Sequence, residues 1–180
     1  MRAAVRTFLA VAAVALTANA AAAQSPIKPF SFGVTGGASM PTGDFGDAAS
    51  TGYNVGALLE VKPAAMPLSF RFEGGYQSFG FQDGVDGNMN ILSGVANAAY
   101  RLPVGAMIRP YVIAGAGMYS MKAESNGLST DRENKLGVNG GLGLELPLTG
   151  ISTFVEARYH NVFTEGSSTT LFPVTVGLRF

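Results

Sequence analysis

The chain has 180 residues, of which 47% are hydrophobic and only 13% are charged, and its 12 acidic side chains balance its 12 basic ones. Soluble domains usually carry about 25% charged residues, so the chain is unusually apolar for a soluble domain. Cysteine is absent, which excludes disulfides, thiolate metal sites and a cysteine nucleophile.

The first 23 residues have the three regions of a secretory signal peptide. Arg2 and Arg6 give a basic start, an apolar run covers 8–16, and small residues lead to Ala23. The run is too short to span a bilayer as a helix, because that takes about 20 apolar residues. We therefore expect cleavage after Ala23, which leaves a single domain at residues 24–180.

Seven segments of this domain alternate apolar residues with small or polar ones, which is the period of a β-strand. In chain order they cover residues 30–40, 52–61, 68–79, 89–101, 108–121, 134–146 and 151–163. The fifth segment is rich in glycine and apolar on both faces, so its facing stays open. No stretch after the signal peptide offers 18 consecutive apolar residues, which excludes a transmembrane helix there.

The last segment, 170–180, alternates most strictly. One face carries Phe172, Val174, Val176, Leu178 and Phe180, and the other carries Pro173, Thr175, Gly177 and Arg179. In water such a strand would leave an apolar face and an open edge that invites aggregation. In a membrane it can pair with the first strand, close a barrel and turn its apolar face to lipid. This segment brings the number of predicted strands to eight.

The connections between the predicted strands alternate in character. Longer polar loops follow the first, third, fifth and seventh strands, whereas short turns that contain proline follow the second, fourth and sixth. Short turns at one end and longer loops at the other are typical of bacterial outer-membrane barrels, whose turns face the periplasm.

These eight segments and the terminal phenylalanine resemble the small outer-membrane β-barrels of the outer membrane protein A and outer membrane protein X type, in a porin-like β-barrel family. The resemblance implies an all-β fold, an eight-stranded antiparallel up-and-down transmembrane β-barrel in the outer membrane of a Gram-negative cell. It also implies contact with lipid and lipopolysaccharide, and a role for Phe180 in the signal read by the outer-membrane assembly machinery. The family spans adhesion, defence and structural roles, so membership predicts fold and location better than activity.

Arg109 and Lys135 lie at strand ends and are counted with the connections, and the other eight charged residues of the predicted strands all take the inward parity. They are Glu60, Arg71, Glu73, Arg101, Glu145, Glu156, Arg158 and Arg179. A basic residue that faces lipid at mid-bilayer costs about 2–4 kcal/mol, so this segregation fits an outward face in lipid. The lumen of an eight-stranded barrel is just wide enough for side chains to fill. We therefore predict a lumenal ion-pair network that plugs the barrel, and a path for protons or ions through it is the alternative.

Four amides of the same parity are expected to add hydrogen bonds to this network. They are Asn54, Gln77, Asn97 and Asn139.

The predicted outer loops are acidic. They carry Asp44, Asp47, Asp83, Asp86, Glu124, Asp131, Glu133 and Glu165, against Lys122, Arg132 and Lys135. We expect these loops to carry any interaction with an extracellular partner. The segment 83–88 lacks the ligand spacing of an EF-hand calcium loop, which favours a solvated hairpin tip over a metal site.

His160 is the only histidine, and its parity is inward. A lipid-modifying barrel would need a histidine at the lipid-facing rim with a serine nucleophile in reach, and no such set can be assembled. We predict no catalytic residues, cofactor, metal or nucleic-acid partner. The sequence therefore favours a non-enzymatic outer-membrane barrel with a structural or surface-interaction role. A small pore for ions or small solutes is the main alternative, and a soluble ligand-binding barrel would reverse the charge distribution.

Overall fold

A computed structural model describes residues 29–63, 66–81, 87–104, 107–125, 128–129, 131–148, 150–164 and 167–180. Within these ranges the chain forms nine strands and one short helix. They are β1 (Phe30–Thr42), α1 (Asp44–Ala48), β2 (Gly52–Val61), β3 (Leu68–Gly80), β4 (Gly87–Arg101), β5 (Arg109–Ser125), β6 (Leu128–Ser129), β7 (Glu133–Pro147), β8 (Ser152–Thr164) and β9 (Ser167–Arg179). The predicted signal peptide lies outside the described residues.

The eight long strands form a closed barrel. Each pairs antiparallel with its neighbours in the order β1-β2-β3-β4-β5-β7-β8-β9, and β9 returns to pair with β1. The two-residue β6 pairs with the end of β5 and is an extra part of the β5–β7 hairpin. Beyond the last ladder position, the Phe180 backbone N–H donates to Phe32 O at 2.7 Å. The predicted eight-stranded antiparallel up-and-down fold is confirmed.

The strands alternate between exposed apolar and buried side chains. On β5, where the sequence left the facing open, Tyr111, Ile113 and Tyr119 are buried in the lumen, whereas Val112 and Met118 are exposed. The neighbouring strands β4 and β7 pair with β5 in unbroken registers, so they share this alternation. In the described part of the chain, no helix is long and apolar enough to cross a membrane.

The two ends of the barrel differ in their connections. We call the turn end the one where β2 joins β3, β4 joins β5 and β7 joins β8, and where β1 begins and β9 ends. The opposite loop end holds α1 between β1 and β2. Polar loops were predicted at 80–88, 122–133 and 164–169, but the strands extend into these segments, and only residues 165 and 166 separate β8 from β9.

The predicted difference in loop length is therefore largely wrong, and Lys122, Glu124 and Glu133 lie on strands. Side-chain polarity marked where the apolar belt ends, whereas backbone pairing continues past that point, because antiparallel ladders do not need apolar side chains.

Candidate functional site: the filled lumen

Four charged residues lie in the lumen at the turn end in a ring of alternating charge, which we call the mouth ring. Its members are Glu60 on β2, Arg101 on β4, Glu145 on β7 and Arg179 on β9. Arg101 donates to Glu145 at 2.9 Å and also bonds Glu60. Arg179 bonds the same two carboxylates. The members come from every second strand around the barrel, so each guanidinium reaches an acid on either side.

A second ring lies deeper and comes from only two strands. It contains Arg71 and Glu73 on β3, and Glu156 and Arg158 on β8, and we call it the bridging ring. Arg71 donates to Glu156 at 2.7 Å. Arg158 donates to both carboxylate oxygens of Glu73, at 2.7 and 2.6 Å. Arg158 also bonds Glu156, and Arg71 lies 3.3 Å from Glu73. Because β3 and β8 are four strands apart in a ring of eight, these pairs span the full width of the lumen.

Aromatic rings fill the space between the two sets of charges. Arg71 lies with its guanidinium 5.0 Å from the Phe154 ring centroid and 5.5 Å from that of Tyr111, and Arg179 lies 5.7 Å from Phe154. The Tyr111 hydroxyl donates to Glu156 at 2.7 Å. Cations near aromatic faces gain about 0.5–2 kcal/mol, with the larger values where water is excluded. These rings therefore stabilise the buried charges.

Glycines on the neighbouring strand make room for these aromatic rings. Gly177 is the register partner of Phe154, and Gly143 is the register partner of Tyr111. A Cβ on Gly143 would lie 2.1 Å from Tyr111 Cζ. The glycine positions therefore decide which way the large rings can lie in the lumen.

The middle of the lumen is polar and contains a cavity of about 70 Å³. Its lining includes the bridging-ring residues Glu73 and Arg158, together with Asn54, Gln77 and His160. The cavity is roomy and polar enough for water, since one water needs about 10–15 Å³ and several polar partners. The Tyr119 hydroxyl and His160 Nδ1 are 2.8 Å apart, so a hydrogen bond to Tyr119 fixes the orientation of the histidine ring.

The four amides predicted from parity are all buried in this region. Asn139 donates to Asn97 at 2.9 Å, and Asn54 donates to Ser39 at 3.0 Å. Among the described hydrogen bonds, neither pair touches the two charged rings, so the three asparagines form separate links between strands.

An apolar layer lies in the lumen at the loop end, and its composition was not predicted from the sequence. Its buried members are Ala49, Phe79, Ile91, Val95, Tyr119, Met121, Val162 and Leu171. The α1 segment folds over this layer, with Phe45 packed edge-on against Phe79 at 5.3 Å between centroids. The Ser50 backbone N–H donates to Gly80 O at 2.8 Å, which holds the segment against β3. The inward parity of the apolar residues near the strand ends was the signal that could have revealed it.

Lys62 follows β2 at the turn end, beside the mouth ring. Burial, together with the nearby Arg179 guanidinium, lowers the pKa of Lys62 to about 8. The Glu60 carboxylate opposes this shift but does not cancel it. A protonated Lys62 at the mouth of the barrel therefore lowers the stability of the folded protein.

The loop end carries exposed acidic side chains. Asp44 and Asp47 are exposed on α1, and Asp131 is exposed next to β7. Lys122 pairs with Glu124 at 2.6 Å, and Lys135 pairs with Glu133 at 3.3 Å. The predicted acids at 83, 86 and 165 lie outside the described residues. Among the described residues, no group of three or more His, Asp or Glu side chains could hold a metal ion.

A closed antiparallel barrel with an exposed apolar belt, whose charges at the level of that belt lie only in the lumen, is a transmembrane β-barrel. The outer membrane protein beta-barrel domain family matches residues 8–180. The chain belongs to this family and lies in the outer membrane. No curated protein sequence matches it.

Solved structures of outer-membrane proteins share the fold at low sequence identity. Neisserial surface protein A (NspA) is 14% identical with a TM-score of 0.69, over 84% of this chain and 96% of that one. A major outer membrane protein from Thermus thermophilus is 12% identical with a TM-score of 0.60, over 85% and 99%. Ail, the attachment invasion locus protein of Yersinia pestis, in complex with the heparin analogue sucrose octasulfate, is 17% identical with a TM-score of 0.50, over 85% and 100%.

Proposed function

We propose that this protein is a non-conducting, non-enzymatic barrel whose loop end faces the cell exterior and whose turn end faces the periplasm. Its role is structural or one of surface interaction, carried by the acidic loop end, while the charged rings plug the lumen. The signal peptide is removed after Ala23, and the outer-membrane assembly machinery reads the strand that ends at Phe180.

The bridging ring is the feature that best supports a plugged lumen. Arg71 is fully buried, and Arg158 on the opposite wall is 6% exposed. Their pairs with Glu73 and Glu156 leave alternating charges joined across the diameter. Buried charges are tolerated only when paired and hydrogen-bonded, which favours a fixed closed arrangement over a water-filled path. The apolar layer at the loop end adds a second barrier in series.

Planar-bilayer recordings test the plug. We expect the wild-type protein to give no steady conductance, because ions would have to displace both layers. The matched control replaces the four bridging-ring residues and Phe79 with serine, which leaves the net charge unchanged, removes the bridging ring and opens the apolar layer at its largest member. This variant should conduct, so that a silent wild type is not a failure of insertion. Steady wild-type currents with resolved open levels would support the alternative, a small pore.

The acidic loop end favours a cationic extracellular partner. In the complex noted above, Ail binds a heparin analogue, which is a sulfated polyanion. The exposed Asp44, Asp47 and Asp131 of this chain would repel such a ligand. We therefore propose that a partner at this end presents basic groups, and that association weakens as salt screens the charges.

Binding to a cationic peptide and to a heparin analogue tests this proposal. Wild-type barrels in vesicles should retain the peptide and not the analogue. An Asp44→Asn, Asp47→Asn and Asp131→Asn variant should lose peptide binding, whereas the control Gln24→Ala, at the predicted mature N-terminus, should keep it. If both variants bind the peptide equally well, these three acids do not form the binding site.

A further inference from the structure

The connections at the turn end expose large apolar side chains where a periplasmic turn would be expected to face water. They are Met66, Leu102, Val104, Met107, Ile108, Leu148 and Ile151, and their exposed fractions run from 39% for Leu102 to 83% for Met107. We call this set the apolar rim. We propose that the apolar rim is inserted into the periplasmic leaflet of the outer membrane and contacts phospholipid there. The leaflet named here rests on the orientation in the proposed function.

The height of the lipid-facing belt supports this placement. On β3 the outward apolar residues run from Leu68 to Tyr76, and on β4 they run from Leu92 to Tyr100. Eight residue steps cover about 26 Å along a strand. With a strand tilt of about 40°, the belt spans about 20 Å of the membrane, less than the apolar band of about 25 Å that such barrels present. On β3 and β4 the belt is therefore about 5 Å shorter than that band.

On β3, β4, β5 and β7 the belt cannot be extended at the loop end, whereas on β8 the apolar Phe163 is exposed there. The next outward positions there are polar on four adjacent strands, namely Ser78, Asn90, Ser120 and Asn134. At the turn end, by contrast, the next residues are those of the apolar rim. The missing height therefore comes from the turn end, and the barrel sits low enough in the bilayer to immerse its turns.

The rim is also continuous with the lipid-facing surface. Leu102 follows directly on β4 below the exposed Tyr100, and Leu148 follows β7 below the exposed Leu146. The described residues of these three connections include no acid that would repel headgroup phosphates, and Arg109 at the start of β5 is exposed. A phospholipid leaflet fits an apolar ring with basic neighbours. A protein partner would have to displace lipid already in contact with the same surface.

Single tryptophans measure the depth of the rim directly, because the chain has no tryptophan of its own. Met107→Trp and Leu148→Trp report on the rim, Leu142→Trp on the middle of the belt, and Asn134→Trp on the loop end. The barrels are placed in vesicles of defined phospholipid, with brominated acyl chains as the lipid quencher and iodide, present on both sides of the membrane, as the aqueous one.

We expect the two rim tryptophans to lose fluorescence to brominated lipid nearly as strongly as Leu142→Trp, and to be shielded from iodide. Iodide quenching as strong as for Asn134→Trp, without quenching by brominated lipid, would overturn the proposal. It would leave the rim as a surface exposed in the periplasm. Since the vesicles hold no other protein, quenching by lipid also rules out the need for a protein partner.

A second assay uses the native Met107 side chain, because an introduced tryptophan could itself draw the turn into the membrane. Met107 is 83% exposed on the protein, and Met118 is 54% exposed in the belt. An oxidant present on both sides of the vesicle membrane converts water-accessible methionine to the sulfoxide fastest. We expect Met107 to be oxidised as slowly as Met118 in vesicles, and a control Asn134→Met residue to be oxidised quickly. Rapid oxidation of Met107 would overturn the proposal. Neither assay depends on whether the lumen conducts, so failure here is distinct from failure of the plug.

Discussion

Phe154 and Gly177 face each other across the β8–β9 pair, and the phenylalanine ring occupies the space that any side chain at Gly177 would need. A Cβ on Gly177 would lie 2.2 Å from Phe154 Cζ. The same ring lies near the Arg71 and Arg179 guanidiniums, so one glycine determines how an aromatic ring can support the charges of the lumen.

We expect Gly177→Ala to destabilise the barrel, because the fully buried ring must shift and disturb its cationic neighbours. Overpacking of this kind costs about 1–3 kcal/mol. Denaturant unfolding, followed by the mobility of unboiled protein on gels, measures the loss. The control is Gly94→Ala, because a Cβ there meets no atom within 4 Å. Equal effects of the two substitutions would show that the close approach of Gly177 to Phe154 is irrelevant to stability.

Removal of Arg158 should be more costly. This residue makes both short contacts to the Glu73 oxygens, and without it the nearest cation to Glu73 is Arg71 at 3.3 Å. Loss of one partner of a buried pair costs about 3–5 kcal/mol, so we expect Arg158→Ala to lower the free energy of unfolding by that order.

Two comparison variants separate the buried charge from general damage. Adding Glu73→Gln to Arg158→Ala should recover part of the loss, because no unpaired carboxylate then remains. Lys122→Ala removes a half-exposed pair with Glu124 and should cost less than about 1 kcal/mol. If the double variant is no more stable than Arg158→Ala, the loss does not come from a stranded carboxylate.

The facing of most strands could be read from the sequence, and the reason is the cost of charge in lipid. Arg71 and Glu73 share a parity on β3, and only the lumen can accept them. The same rule failed on β5, where both faces are apolar or glycine. There the choice depends on another strand, because the Tyr119 ring fits over Gly137 of β7, where a Cβ would lie 2.8 Å from the ring.

The arrangement of the ion pairs could not be predicted. Arg101 contacts Glu60 and Glu145, which are far apart in sequence and come together only through the stagger of strands around the closed barrel. The fold of Phe45 over Phe79 was equally hidden, since the segment between β1 and β2 has no period to interpret. Parity determines which side chains enter the lumen, whereas register determines which of them meet.

The lowered pKa of Lys62 gives a test by pH. Its folded pKa of about 8 lies below the ordinary value of 10.5, so between these values the unfolded chain binds more protons than the barrel. Stability should therefore rise with pH across this window, and the cost of the buried charge should be fully present below about pH 8. The measurement is the difference in unfolding free energy between wild type and Lys62→Met from about pH 7 to 11. Wild type should gain unfolding free energy relative to Lys62→Met as pH rises through this window, and a constant difference would contradict the shift.

The terminal residue offers the last test, because its backbone and its ring can be separated. The Phe180 backbone pairs with Phe32 in both directions, at 2.7 and 3.3 Å, and its ring is 41% exposed on the lipid side. Deletion of Phe180 removes both features and should reduce the folded protein in the outer membrane while synthesis and export continue. Phe180→Ala keeps the backbone pair and should reduce assembly if the ring is what the machinery reads. Phe172→Ala is the control, since that ring lies on the same face of β9 and is 37% exposed. The readout is the heat-modifiable band in the outer-membrane fraction.

Normal levels of the deletion variant would show that the end of β9 carries no assembly signal. Equal losses for Phe180→Ala and Phe172→Ala would assign the effect to lipid contact along the whole strand.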